Sequence, residues 1–266
     1  MTDRAEIGVF GGSGFYSLLE GGEEITIDTP YGPPTARAMV GEIGGRRVAF
    51  IPRHGASHEF PPHRINYRAN VWAMKSLGVN WIIGPAAVGS LQQHVRVGDF
   101  VVCDQFVDRT NGRPDTFYNG PETTHVSSAD PYSPVLRQLL VEGCTATGVP
   151  VHDGGTIVVI QGPRFSTRAE SQAYGREGWE VINMTAYPEC HLAREVEIAY
   201  ANVSLVTDYD AGVEGDPNSG AVTTVDVMAV LSRNNNRMVA LLDHVIPRIP
   251  TEPDPHCANV LAESRL

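Results

Sequence analysis

Short apolar runs that end in glycine or in a cluster of polar side chains, and that alternate with helix-like stretches, constrain this chain more than any other feature of its sequence. Strands are expected over Ile7–Phe10, Arg47–Ile51, Trp81–Ala87, Phe100–Phe106, Thr156–Gln161, Val181–Met184 and Ile198–Thr207. Between them, Ile65–Leu77 has helical spacing and stops at Gly78, and Pro134–Thr147 begins with a first-turn proline and ends before Gly148. Thr167–Glu177, Tyr187–Glu197 and Thr224–Ile246 read as three further helices, the last capped by Thr223 or Thr224. Strands that are apolar along their length and alternate with helices imply an α/β fold around a parallel or mixed sheet. No repeat and no linker interrupts the pattern. It therefore reads as one domain over residues 1–250, followed by a proline-rich polar tail, residues 251–266, expected to be partly unstructured or to lie on a neighbouring molecule.

Composition narrows the function. With 31 acidic and 20 basic residues the formal charge is −11, which argues against nucleic acid as a partner and requires any anionic ligand to be held by a local group of donors. No apolar run approaches the roughly 18–20 residues that span a bilayer, and the opening MTDRAEIGVFGG does not read as a secretion signal. Cys103, Cys144, Cys190 and Cys257 are scattered without metal-type pairing, the pattern of reduced thiols in a cytoplasmic protein.

Chemistry-bearing residues gather where strands end, which is where open α/β sheets bind ligands. GGSG at 11–14 could cradle an oxyanion with its N–H groups and the Ser13 hydroxyl, or could simply be a tight turn. It is neither a dinucleotide-binding fingerprint nor a P-loop nor a nucleophile elbow. RHGASH at 53–58 offers Arg53 and His54 as an anion clamp, or is an ordinary surface loop. His54 and His58 lack a third ligand at metal spacing, so no metal is expected. QGPRF ends another strand with Phe165, and VINMT a third with Asn183, Met184 and Thr185. Finally, NVSLVTDYDAG aims Asp208 and Asp210, two residues apart, to one side of a strand end.

Taken together, IGVFGGSGF, DTPYGPP, PRHGASHEFPPHRINYRANVWAMKSLGV, AVGSLQQHVRVGDFVVCDQFVDRT, RPDTFY, QGPRFSTRAES, VINMTAYPE and VTDYDAG resemble the trimeric purine nucleoside phosphorylases, and among them the 5′-methylthioadenosine phosphorylase branch. They run in family order from residue 7 to about 245. The resemblance implies a mixed, distorted-barrel-like sheet surrounded by helices, a homotrimer with a hexamer as the alternative, and no metal or organic cofactor. Its reaction is cleavage of a purine nucleoside by inorganic phosphate, giving free base and sugar 1-phosphate. Carried over by motif, Ser13, Arg53, His54 and Thr185 would hold phosphate, with the backbone of Ala86 and Ala87 beside it. Asn183 and Met184 would lie against the ribose, Phe165 would stack on the base, and Val225 and Met228 would line the 5′ pocket. His125 of a neighbouring subunit would close that pocket.

Asp208 and Asp210 would face the purine. A carboxylic acid can donate to N7 of adenine while its other oxygen accepts from the 6-amino group, and a second carboxylate can take the remaining amino proton. A 6-oxopurine presents an acceptor there instead, so the pair favours 6-aminopurines. Three departures from the family pattern bear on affinity and substrate breadth, one being the loop AGVEGDPNSGAV after TDYD. Ala86 stands where a threonine is frequent, and Gln161 where a glutamate is frequent before GPRF. Broader purine nucleoside phosphorolysis, nucleoside hydrolysis and non-catalytic purine binding are the rival readings.

Overall fold

The computed structural model describes residues 5–11, 19, 21–213 and 222–265. Its strands are β1 (Ile7–Gly11), β2 (Glu23–Ile25), β3 (Ala38–Ile43), β4 (Arg46–Pro52), β5 (Trp81–Ser90), β6 (Phe100–Val102), β7 (Gln105–Arg109), β8 (Val151–Asp153), β9 (Thr156–Ile160), β10 (Val181–Asn183) and β11 (Ala199–Tyr209). The helices are α1 (Tyr67–Ser76), α2 (Pro134–Ala146), α3 (Arg168–Arg176), α4 (Ala186–Glu195) and α5 (Thr224–Val245). The expected mixed sheet wrapped by helices is what is observed, and each expected helix is present, trimmed by a few residues at most.

Capping explains where four of the five helices begin. Asn66 accepts from the Ala69 N–H at the start of α1, and Ser133 accepts from Leu136 N–H ahead of Pro134. Thr167 and Glu170 form a reciprocal capping box on α3, and Thr223 accepts from Asp226 N–H on α5.

One sheet runs in the order β2-β3-β4-β1-β5-β10-β9-β7, with β11 attached to β5 and then β6 and β8 beyond it. Its organising strand is β5. Along one edge β5 pairs in parallel with β11 from Trp81 to Ser90. Along the other edge it pairs with β1 at Trp81, Ile82 and Ile83, and then, antiparallel, with β10 at Gly89 and Ser90. Residues 84–88 have no strand on that second edge among the described residues, so the sheet forks there. This fork opens the space in which the site is built.

Alternation along β5 and β11 sends side chains into two cores. Ile82, Val88, Tyr200 and Val206 pack with α1 and α4 residues such as Val71, Met74, Cys190 and Leu192. Trp81, Ile83, Val203 and Leu205 pack with α2 and α5 residues such as Leu136, Leu140, Met238 and Leu241. Burying a side chain of this size contributes about 1.5–3 kcal/mol, so the forked sheet is clamped from both sides.

The structure corrects three readings. The run Phe100–Phe106 is two strands, because the Asp104 carboxylate turns out to accept the Gly155 N–H at 2.9 Å and the chain changes neighbours from β11 and β8 to β9. Short strands β2, β3 and β8 lie where none was expected. The polar tail lies on its own chain: Asp254 accepts from the Ser133 hydroxyl, and buried Cys257 receives Arg194 Nη1 at 3.7 Å. Among the described residues no helix is long and apolar enough to cross a membrane.

Candidate active site

A cleft of about 460 Å³ opens at the fork. Arg53, His54 and Thr185 line one part of it, Asp208 and Asp210 another, and Ala86, Ala87, Val88 and Gly89 of β5 run between them. Phe165, Asn183 and Met184 also line the cleft, so three loops that follow β4, β9 and β10 converge on it. Ser13 lies outside the described residues, as do residues 214–221 of the loop after TDYD.

The two acids arrive by a kink. The β11 register slips between Val206 and Asp208, which pair with Val88 and Gly89, so Thr207 is the extra residue of a bulge. Asp210, 3% exposed, follows the strand and is held by its own N–H to Ser90 O at 2.9 Å and by the Ser166 hydroxyl, which donates to its carboxylate. Asp208 is half-buried, and burial pushes its carboxyl up to about 6, with the charge of Asp210 acting in the same direction and the Thr207 hydroxyl opposing both.

Thr207 Oγ1 lies 2.7 Å from Asp208 Oδ2 and 3.2 Å from Val88 O. One hydroxyl proton serves one acceptor at a time. The hydroxyl therefore donates either to an ionised Asp208 or to Val88 O, and in the second arrangement it can accept from a protonated Asp208. Two protonation states of Asp208 thus fit one geometry.

The opposite end is built around Arg53, a fully buried guanidinium. Its Nε and Nη2 donate to the two oxygens of Glu189 at 2.9 and 2.8 Å, and Nη1 donates to Pro85 O at 2.8 Å. Burial alone would lower its pKa, but the Glu189 charge and hydrogen bonds hold it above the ordinary value. His54 Nδ1 is 2.9 Å from Phe60 O, and since a carbonyl only accepts, that nitrogen carries the proton. The neutral ring therefore offers Nε2 as an acceptor. Burial lowers its pKa to about 4, and the ring stacks on His58 with centroids 4.3 Å apart.

Thr185 is the residue before α4, and its hydroxyl makes no capping bond to the helix. The Asn183 amide oxygen meets Ala186 N–H at 3.4 Å, while its amide nitrogen, buried against the cleft, has no partner among the described residues. A buried donor left unpaired at a cleft wall is available to a ligand acceptor.

One expected residue of this chain is not brought to the cleft. Val225 is 77% exposed, and the wall is formed instead by Thr224, Val227, Met228 and Leu231, the face that helical periodicity selects. His125 lies on an exposed part of the loop before α2, where its N–H donates to Ser264 O at 2.8 Å.

Sequence reasoning also passed over several contributors. Ser166 adjoins Phe165 and could have been noticed as a hydroxyl at a strand end. Leu231 follows from Met228, and Val227 from Leu231, by helical spacing. Glu189 carried a weaker signal, an isolated acid in the otherwise apolar stretch AYPECHLA. Gln161, one of the departures, serves the local structure: its side-chain oxygen accepts from Asn111 N–H at 2.9 Å and from Arg113 Nε at 3.2 Å.

The cleft thus joins an arginine end to a paired-carboxylate end at the fork of the sheet. Residues 6–247 match the model of the phosphorylase superfamily, and the chain belongs to that family. It is 50% identical over 256 residues to S-methyl-5′-thioadenosine phosphorylase of Pyrococcus abyssi, covering 96% of this chain and 97% of that one. It is 46% identical over 262 residues to a purine nucleoside phosphorylase of Streptomyces coelicolor, covering 96% and 92% respectively. Among solved structures, methylthioadenosine phosphorylase from Schistosoma mansoni in complex with adenine superposes with a TM-score of 0.92 at 33% identity, covering 98% of this chain and 99% of that one.

Proposed function

We propose that this chain is a pentosyltransferase that cleaves S-methyl-5′-thioadenosine with inorganic phosphate, giving adenine and 5-methylthioribose 1-phosphate. The observation that carries the reading is the joint lining of one cleft by Arg53 and Thr185 at one end and by Asp208 and Asp210 at the other. An oxyanion and an aminopurine can be held there on either side of a sugar.

The chemistry follows from where charge develops. As the C1′–N9 bond stretches, its electron pair moves onto the base and the ribosyl ring becomes cation-like. Phosphate held by Arg53, Thr185, the acceptor Nε2 of His54 and the open β5 edge at Ala86 and Ala87, with Ser13 as a further donor, stabilises that cation and forms the new bond to C1′. Asp208 gives its proton to N7, so that neutral adenine leaves rather than an anion. Asp210, held by Ser166, accepts from the 6-amino group. Phe165 stacks on the base, Asn183 and Met184 contact the ribose, and Met228 with Val227 and Leu231 forms an apolar wall suited to a methylthio group. No cofactor or metal enters this scheme.

In the same reading the chain works in the cytoplasm as a homotrimer, with His125 of a neighbouring copy closing the 5′ end. A hexamer is the alternative assembly, and size-exclusion chromatography with light scattering separates the two. The likeness to the Streptomyces purine nucleoside phosphorylase supports a second reading, broader purine specificity. Release of adenine from methylthioadenosine, followed with and without inorganic phosphate, tests the reaction. Release that does not need phosphate would replace it with hydrolysis. Comparing kcat/KM for methylthioadenosine, adenosine and inosine tests specificity, and a preference for inosine would overturn the role given to the two aspartates.

A further inference from the structure

The arginine at the phosphate end does not act as a lone cation. Arg53 and Glu189 are both 2% exposed, and they meet through two parallel N–H···O bonds. Glu189 does not itself line the cleft, whereas Arg53 does. Behind the pair, the Tyr200 hydroxyl on β11 donates to Glu189 Oε1 at 2.7 Å. The sequence leaves room for this arrangement at Gly84: a Cβ there would overlap Tyr200 Oη and stand 3.1 Å from Glu189 Oε1. The chain from Tyr200 to Glu189 to Arg53 therefore joins β11, α4 and the end of β4 through side chains buried from solvent.

A guanidinium has five N–H donors in a rigid plane. Three bonds to Glu189 and Pro85 fix that plane and its rotation. Each terminal nitrogen then carries a second N–H in a direction that it cannot adjust. A carboxylate that only balanced charge could do so from many positions, but a two-point grip capped by a tyrosine sets an orientation.

We infer that Glu189, held by Tyr200, is a positioning residue for phosphate: it orients the remaining N–H groups of Arg53 toward the oxyanion without touching either substrate. This rests on the phosphorolysis proposed above. Steady-state kinetics on the full-length protein, varying phosphate at saturating methylthioadenosine and the reverse, tests it. Glu189→Gln is expected to raise the phosphate KM by about tenfold or more, as expected for a misdirected charge-assisted hydrogen bond, with the nucleoside KM within about twofold. Glu189→Asp, which keeps the charge and shortens the reach, should fail to restore it.

Tyr200→Phe leaves the ion pair and removes only its brace, so it keeps the test available where Glu189 variants do not fold. It should raise the phosphate KM by about two- to fivefold. Equal movement of both KM values, full rescue by Glu189→Asp, or an unchanged phosphate KM in Tyr200→Phe would overturn the inference. Absence of phosphate-dependent release by the unaltered protein would instead overturn the reaction itself.

Discussion

The two ends of the cleft manage charge in opposite ways. At the end proposed for the base, Asp208 and Asp210 are neighbouring acids with no cationic partner among the described residues, steadied by hydroxyls from Thr207 and Ser166. At the end proposed for phosphate, the arginine that could have supplied a bare positive charge is already joined to a buried carboxylate. One end keeps a proton available because burial, aided by the neighbouring acid, disfavours ionisation of Asp208. The other presents directed N–H groups because its cation is balanced. The formal charge of a motif is therefore a poor guide to the field that a ligand meets.

The comparison breaks most visibly at Asp208. Replacing it with Asn keeps a donor but removes a transferable proton, and should lower methylthioadenosine turnover by about 10²- to 10⁴-fold. The same change should raise the inosine-to-methylthioadenosine ratio of kcat/KM, because an amide can donate to a 6-oxo group. Near-normal adenine release by Asp208→Asn would show that the proton comes from elsewhere.

A pH profile sharpens the contrast. With Asp208 at about 6, kcat/KM for the nucleoside at saturating phosphate should fall about tenfold per pH unit above that value. At the other end His54, lowered to about 4, should add no inflection in the phosphate KM between about pH 5.5 and 8. Such an inflection, if abolished by His54→Gln, would mean that the ring is cationic in use.

Stability supplies a smaller effect. The folded protein holds the Asp208 proton more tightly than the unfolded chain does, so this group contributes stability at low pH that is lost as pH rises from about 4 through 6. Thermal melts of the ligand-free protein above pH 6 should therefore find Asp208→Asn more stable than the unaltered chain, on the order of 1–2 kcal/mol. At Gly89 an added Cβ would stand 3.0 Å from Asp208 Oδ1 and 3.4 Å from Asp210 Cβ. Gly89→Ala should thus weaken nucleoside binding by about two- to tenfold and leave the phosphate KM unchanged.

Much of this was legible in the chain, for identifiable reasons. Long apolar strands such as Trp81–Ser90 and capped helices such as Pro134–Ala146 carry periodicity that survives without tertiary context. The acids of TDYD, set two apart after an apolar run, pointed to their shared cleft. Strands of three residues, such as Glu23–Ile25 and Val151–Asp153, are too short to show a period and exist through their partners. The fork of the sheet has no local signature, since it depends on β1 and β10 sharing one edge of β5. The same holds for Glu189, whose role appears only when a residue 136 positions away is folded against it. Val225 shows a further limit: a motif match names a segment, but the rotation of α5 decides which of its side chains reaches the cleft.

A single unbroken strand, β5, passes both ends of the cleft. Ala86 to Gly89 spans roughly 10 Å at strand rise, and both sit on a backbone locked to β11 along its whole length. The backbone part of the proposed gap between anion and base is therefore fixed by covalent geometry, with only the side chains at each end left to adjust it. Ligands that differ in length have to be accommodated sideways, at the wall supplied by α5, so new sugar substituents should be easier to evolve or engineer than a longer bridge between phosphate and purine.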